Sequence, residues 1–282
     1  MRFPPSPLTT ERRFIQQGVI MSIELSHQDL GQGDPIVIAH GLFGSKRNWS
    51  AIAKRLSAHH RVLTVDMRNH GDSPWINGMN YRDMADDVAS FIKRHALGPC
   101  TVIGHSMGGK AAMMLALTHP ELVARLVVVD IAPVERETGF GAYIDAMAEV
   151  PLAACDSRSD VEEHLQDVVH DKMVRSFLLQ NVVREDTGFR WRINLAALDA
   201  GMDEIADFPA PDHHQSYAHN SFLGQTLFVA GANSDYIQPH HTADITRLFP
   251  KADIAHIPGA GHWLHAEAPE VFLKELTAFL SV

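Results

Sequence analysis

Apolar and polar positions in the first half of the chain switch repeatedly between the strand period and the helix period. Short runs rich in branched apolar residues are typical of buried strands. Four such runs are Pro35–Gly41, Arg61–Met67, Cys100–His105 and Ala124–Pro133. Between them, Tyr81–Ala96 and Lys110–Pro120 carry the apolar periodicity of helices. Repeated strand–helix alternation predicts an α/β fold with a mostly parallel central sheet and flanking helices.

The pattern changes between residues 134 and 223, where apolar positions follow the helix period and no convincing strand is found. Ser159–Val183 is predicted to be helical, with Ser159 or Asp160 as its N-cap. A further helix is predicted over Ile193–Pro209, and strand–helix alternation resumes afterwards. The sequence therefore predicts an α/β core formed by residues 21–133 and 224–282, with a helical cap inserted at 134–223.

The first twenty residues differ from the rest of the chain. They contain several prolines and lack the apolar centre of a secretory signal. We expect residues 1–20 to be a disordered leader or an upstream extension, with the folded pattern starting near Met21. The alternative is a weak transit-type segment, since the stretch contains arginines but lacks a clear amphipathic helix.

Composition narrows the classes of function. The 282 residues carry a formal net charge of −10, which disfavours nucleic acid or an anionic membrane as the main partner. No apolar run reaches the roughly 18 residues of a membrane span. The only two cysteines, Cys100 and Cys155, fit neither a metal motif nor a disulfide scaffold, so we expect a reducing, cytoplasmic setting.

The strongest chemical motif is Gly104-His105-Ser106-Met107-Gly108, which lies between a predicted strand and a predicted helix. Gly-x-Ser-x-Gly in that context is the pattern of a nucleophile elbow, a strained turn that presents the serine hydroxyl above the sheet edge. A serine hydroxyl needs a base at neutral pH. His262 supplies one, since it lies on the glycine-rich loop after the last predicted strand.

The other histidines have plainer interpretations. His265 is expected on a helix surface. Three adjacent pairs look like metal ligands, but neighbouring side chains point apart and no third ligand is obvious, so no metal site is expected. The pairs are His59-His60, His213-His214 and His240-His241.

Two aspartates compete for the role of the acid that orients the base. Asp130 ends the strand after the nucleophile strand, and Asp235 follows the next predicted strand of the core. Both lie at the same edge of a parallel sheet, so their positions leave the choice open. The oxyanion donors are expected to be the backbone N–H groups of Met107 and of Leu42, in the loop after an earlier strand.

Together these motifs resemble those of α/β-hydrolases, and more closely those of the esterase family of YbfF and ABHD11 type. The segments that carry the resemblance are HGLFGS, DMRNHG, GHSMGGK, VDIAP and GAGHWLHAE. The resemblance implies the α/β-hydrolase fold and a Ser–His–Asp hydrolase that acts on ester or thioester acyl groups without a cofactor. It also favours Asp130, within VDIAP, over Asp235 as the acid.

The expected function is that of a serine carboxylesterase for short-to-medium acyl esters, with a small-molecule ester or thioester as partner. An acyl-CoA thioesterase, a carbon–carbon bond hydrolase and a low-turnover binding protein remain alternatives. Phe43 and Trp263 are expected to bind the acyl group, and Trp191 and Arg192 are candidate contacts from the cap. Basic residues that could serve an anionic CoA group are Lys46, Arg47, Arg68 and Lys110.

Overall fold

The structure is a computed structural model that describes residues 22–136, 139–186, 188–209 and 221–281. The predictions for the leader at residues 1–20 and for the pair His213-His214 lie outside the described residues.

The described strands are β1 (His27–Leu30), β2 (Pro35–Ala39), β3 (Arg61–Val65), β4 (Cys100–His105), β5 (Val123–Val129), β6 (Val182–Glu185), β7 (Gly188–Trp191), β8 (Gln225–Gly231) and β9 (Ala252–Ile257). The central sheet has the order β1-β3-β2-β4-β5-β8-β9, in which β1 is antiparallel to β3 and the other pairs are parallel. All residues of β4 are buried, as expected for a central strand covered on both faces. The predicted α/β fold with a mostly parallel sheet is confirmed.

Helices cover both faces of the sheet. The described α-helices are α1 (Ser50–Leu56), α2 (Tyr81–Arg94), α3 (Met107–Thr118), α4 (Gly141–Glu149), α5 (Arg158–Leu165), α6 (Lys172–Leu178), α7 (Leu195–Ala200), α8 (Met202–Ala206), α9 (Thr242–Leu248), α10 (Leu264–Glu267) and α11 (Pro269–Leu280). Successive side chains of a strand point to opposite faces of the sheet, so the core consists of two clusters. Val37 packs in the cluster with α2 and α3, whereas Ile36 packs in the cluster with α1 and α11. Because these strands are parallel, their carboxyl ends lie at one edge of the sheet, where the motifs with Ser106, Asp130 and His262 come together.

The segment between β5 and β8, which we call the inserted segment, is less purely helical than predicted. Strands β6 and β7 form an antiparallel hairpin, so the prediction of no strand between residues 134 and 223 is wrong there. The helix predicted over Ser159–Val183 is also interrupted, since α5 ends at Leu165 and α6 begins after Asp171, whose carboxylate caps the new helix. Short strands stabilised by their hairpin partner leave little periodic signal of their own. The exact domain boundaries stay predictions.

Arg68 lies beneath the sheet edge in a buried ionic cluster. Its Nε donates to Asp87 at 2.7 Å and its guanidinium also contacts the carboxylate of Asp83 at 2.9 Å, both acids being on α2. Burial raises the pKa of Asp87, whereas the hydrogen bond and the positive charge of Arg68 act in the opposite direction and stabilise the buried carboxylate. Arg68 is therefore engaged in holding α2 to the turn after β3.

Replacing Arg68 by methionine should lower the free energy of unfolding by about 3–5 kcal/mol, because it leaves a buried carboxylate without its cation. Arg61→Met is the matched control, since that residue pairs with Asp29 at the surface and should cost no more than about 1 kcal/mol. Urea unfolding at neutral pH measures both values. Equal losses for the two variants would contradict the importance assigned to the buried cluster.

Candidate active site

Ser106 occupies a strained turn between β4 and α3. Its backbone has φ 52° and ψ −119°, an unfavourable conformation for a residue with a side chain. The flanking glycines are required by close approach: a Cβ at Gly104 would lie 2.1 Å from the carbonyl oxygen of Gly108, and one at Gly108 would lie 2.5 Å from that of His40. The strand–turn–helix context predicted for this motif is present.

His262 meets Asp130 at the carboxyl edge of the sheet. The Nδ1 atom of His262 lies 2.8 Å from Oδ2 of Asp130, which follows β5 and is fully buried. The backbone N–H of Gly231 donates to the other carboxylate oxygen at 2.9 Å, and the hydroxyl of Ser234 donates to the oxygen that faces His262. These two hydrogen bonds orient the carboxylate toward the imidazole.

Asp235 occupies a different position. Its side chain is 73% exposed and pairs with Arg136 at 2.8 Å. The hydrogen bond and charge of Arg136 hold the pKa of Asp235 below its usual range. The next residue, Tyr236, stacks on the His262 ring with centroids 3.9 Å apart, and the Arg136 guanidinium lies 4.1 Å from the Tyr236 ring centre. Asp235 therefore holds Arg136 on the Tyr236 ring, which stacks on His262, and its own carboxylate does not contact His262.

His105, the residue before the serine, contacts the loop that carries His262, a role that the sequence analysis does not predict. Its Nε2 lies 2.9 Å from the carbonyl oxygen of His262, so this nitrogen carries the proton and donates. Burial lowers the pKa of His105 well below its usual value, which keeps the ring neutral. The prediction that His265 is a surface residue is wrong: it is buried and stacks on Trp49 at 4.3 Å, because α10 packs against the sheet.

The loop that carries Leu42 lies against the serine. A Cβ at Gly41 would be 3.2 Å from the Cβ of Ser106. The amide side chain of Asn181, from the inserted segment, donates to the carbonyl of Phe43 at 2.7 Å and holds the loop in place. Met107 is the first residue of α3, so its N–H has no acceptor within the helix. This arrangement favours the Leu42 and Met107 N–H groups as oxyanion donors.

A chamber of about 170 Å³ opens at Ser106 and His262. Its walls are mainly apolar and come from the loop that carries Leu42, the loop that carries His262 and the inserted segment. The lining includes Leu42, Phe43, Phe140, Tyr143, Val174, Phe177, Leu178, Tyr236 and Trp263. The predicted acyl contacts Phe43 and Trp263 thus lie beside the serine. We call this cavity the main chamber.

The other two predicted substrate contacts do not line the main chamber. The indole N–H of Trp191 donates to the carbonyl of Met147 at 2.8 Å, inside the inserted segment. Arg192 is buried and forms an ion pair with Asp72 at 3.1 Å. Both side chains therefore stabilise the inserted segment and its contact with the core, and neither faces the main chamber.

The basic residues considered for a CoA group are mostly engaged inside the protein. Lys46 pairs with Asp66 at 2.6 Å and with Asp72 at 2.8 Å. Arg68 belongs to the buried cluster described above, and Lys110 donates to backbone carbonyls. Arg47 lines an outer groove of about 510 Å³ that shares Phe177 and Trp263 with the main chamber.

The described residues contain no group of three or more histidine, cysteine or acidic side chains that could hold a metal ion. Among the same residues, each helix is too short or too polar to cross a membrane.

Comparison with known proteins places these features in context. The profile of the alpha/beta hydrolase fold family matches residues 34–269. The chain is 44% identical over 254 residues to the mouse protein named sn-1-specific diacylglycerol lipase ABHD11, covering 87% of this chain and 80% of that protein. It is 34% identical over 261 residues to esterase YbfF of Escherichia coli, covering 90% of this chain and 96% of that protein.

A solved structure is similar over almost the same span. A marine microorganism esterase superposes with a TM-score of 0.86 at 35% sequence identity, covering 92% of this chain and 100% of that one. The similarity extends through the sheet, the flanking helices and the inserted segment.

Proposed function

The chain belongs to the alpha/beta hydrolase fold family and is a carboxylic ester hydrolase, and from this we propose that it is a serine carboxylesterase for short-to-medium acyl esters. The observation that carries the proposal is the 2.8 Å contact between His262 Nδ1 and Asp130, with Ser106 and His262 lining one chamber. A base with a fixed tautomer beside a strained serine is the arrangement that acyl transfer requires.

In the proposed reaction, Asp130 accepts the Nδ1–H of His262 and leaves Nε2 free to take the Ser106 proton. The Ser106 oxygen then bonds to the ester carbonyl carbon, and the negative charge on the carbonyl oxygen is held by the N–H groups of Leu42 and Met107. The C–O bond to the alcohol breaks as His262 returns the proton to the leaving oxygen. Water, activated by the same histidine, hydrolyses the acyl-enzyme and restores Ser106.

The same groups could cleave a thioester, but the basic residues do not favour a CoA substrate. Lys46 and Arg68 are held in internal ion pairs, so Arg47 in the outer groove is the basic residue best placed for a phosphate. We therefore propose esters as the main substrates, with acetyl-CoA and palmitoyl-CoA as comparison substrates. We also propose a reducing, cytoplasmic setting, which rests only on Cys100 and Cys155, both free and buried.

The size of the main chamber predicts the acyl preference. A cavity of about 150 Å³ accommodates a six-carbon ring, and the main chamber measures about 170 Å³. Initial rates on p-nitrophenyl esters from acetate to palmitate should therefore peak at about four to eight carbons. Absence of turnover on every ester and thioester would contradict the esterase proposal and favour a specialised hydrolase or a binding protein.

Phe177 separates the main chamber from the outer groove, where its ring packs on Trp263 with centroids 5.3 Å apart. Phe177→Ala should join the two cavities and shift the rate optimum toward longer chains, raising the palmitate-to-butyrate ratio about tenfold. Val168→Ala is the control, because that side chain is exposed in the same segment. An unchanged chain-length profile in Phe177→Ala would show that this side chain does not limit acyl length.

A further inference from the structure

A second, smaller chamber adjoins Ser106 and differs in chemistry from the main chamber. The two share Leu42, Ser106, Phe140 and Tyr236. The smaller chamber, of about 20 Å³, can hold one or two polar atoms rather than a hydrocarbon chain. Its remaining walls include two basic side chains and a tyrosine, namely Lys110, Arg136 and Tyr81. We call it the basic chamber.

Lys110 brings a buried positive charge into this wall. The residue is 2% exposed, and its Nζ donates to the carbonyl oxygens of Ala206 and Asp207, each at 2.8 Å. An ammonium group has three donors, so these two carbonyls leave one unused, and Nζ also lies 5.6 Å from the centre of the Tyr81 ring in the same chamber wall. Among the described residues no carboxylate forms an ion pair with it. Burial lowers the pKa of Lys110 to about 8, so the group remains mainly protonated at neutral pH.

A buried cation whose partners are two neutral carbonyls and an aromatic ring is costly, and an anion beside it lowers that cost. Asp207 and Glu135 act on Lys110 from a distance and partly offset its charge, whereas Arg136 opposes it. The basic chamber therefore favours a negatively charged ligand group.

Arg136 adds a second unsatisfied donor. Its terminal nitrogens contact Asp235, but its Nε is buried and has no hydrogen-bond partner. Leaving a buried N–H unpaired costs free energy, so a ligand oxygen that accepted this bond would be stabilised. Arg136 thus contributes an unpaired N–H and Lys110 a buried positive charge to one chamber that Ser106 also lines.

The start of α3 places the lysine close to the serine. Lys110 follows Ser106 by four residues, its backbone N–H donates to the Ser106 carbonyl oxygen at 3.0 Å, and both residues line the basic chamber. A carboxylate linked to the reacting carbonyl through a short spacer would therefore fit between them.

We propose that the basic chamber binds a carboxylate of the substrate, and that Lys110 makes the enzyme selective for short esters with a free acid group. This inference rests on the proposed esterase function and adds a substrate class to it. One arm of the ester occupies the main chamber, and the arm that bears the carboxylate reaches Lys110 and the Nε–H of Arg136.

The test compares substrates that differ only in this charge. Mono-p-nitrophenyl glutarate and its methyl ester carry the difference on the acyl arm, and O-butyryl glycolate and its methyl ester carry it on the alcohol arm. Wild-type kcat/KM should favour the acid of at least one pair by about tenfold or more. Equal or lower values for both acids would overturn the proposal, while turnover of the neutral esters would leave the esterase function intact.

Lys110→Met should reduce the acid-to-neutral ratio of kcat/KM to about one, whereas the exposed Lys54→Met should retain the wild-type ratio. A ratio that survives in Lys110→Met would overturn the role of Lys110. Because Lys110 also anchors the end of α8, circular dichroism must accompany the kinetics. If the variant is unfolded, wild-type inhibition by glutarate decides: competitive inhibition at least about tenfold stronger than by neutral dimethyl glutarate supports the site, and equal inhibition contradicts it.

Discussion

Replacing Ser106 by alanine is expected to lower kcat for ester hydrolysis by about 10⁶-fold while the protein remains folded. The substitution removes only the hydroxyl group, and the oxygen of that group must bond to the acyl carbon. The side chain is nearly buried but lines an open chamber, so its loss leaves no packing defect in the core. Initial rates on p-nitrophenyl butyrate, with circular dichroism as a folding control, measure this effect.

The serine and its base should act as one unit. His262→Ala alone should cost nearly as much as Ser106→Ala, and the double variant should be little worse than either single one. Ser281→Ala, an exposed serine far along the chain, serves as the control and should keep full activity. A Ser106→Ala variant with more than about 1% of the wild-type kcat would contradict the nucleophile assignment.

Replacing Asp130 by asparagine should lower kcat by about 10⁴-fold. The amide oxygen can still accept the N–H of Gly231, so the local fold should survive. At the other position an amide group would face His262 Nδ1 and could donate, which favours the wrong tautomer of the imidazole. The change should appear in kcat rather than in KM, since the carboxylate is not in the substrate chamber.

Asp235→Asn is the matched control for Asp130→Asn, because the chemical change is identical and both residues lie at the same sheet edge. This substitution weakens a mostly exposed ion pair with Arg136, so kcat should fall by less than about tenfold. Parallel kinetics of the two variants compare the candidates directly. A severe loss in Asp235→Asn with near-normal activity in Asp130→Asn would reverse the assignment of the acid.

Much of the core could be predicted from local pattern. Apolar runs of strand length and helices of period 3.6 are both encoded in contiguous residues, and α2 matches its predicted position closely. The turn at Ser106 could be predicted as well, because the backbone comes too close at Gly104 and Gly108 for a Cβ atom and this requirement appears in the sequence as Gly-x-Ser-x-Gly.

The hairpin of β6 and β7 was not predicted because its stability comes from pairing across the turn rather than from either strand alone. His265 was misplaced for a related reason. Its burial depends on Trp49, which is more than two hundred residues away in the chain, and no local period reports that contact. Such features depend on packing between distant segments.

The sequence by itself determined the α/β architecture and indicated Ser106 and His262 as the candidate nucleophile and base, because these depend on local periodicity and on steric needs within a few residues. It left two aspartates equivalent, since both follow strands that end at the same edge. Only the tertiary structure separated them: Asp130 is buried against His262, whereas Arg136 holds Asp235 at the surface. Which side chains form ion pairs and hydrogen bonds depends on distances between residues that are far apart in the chain. Those distances are set when the inserted segment packs on the sheet.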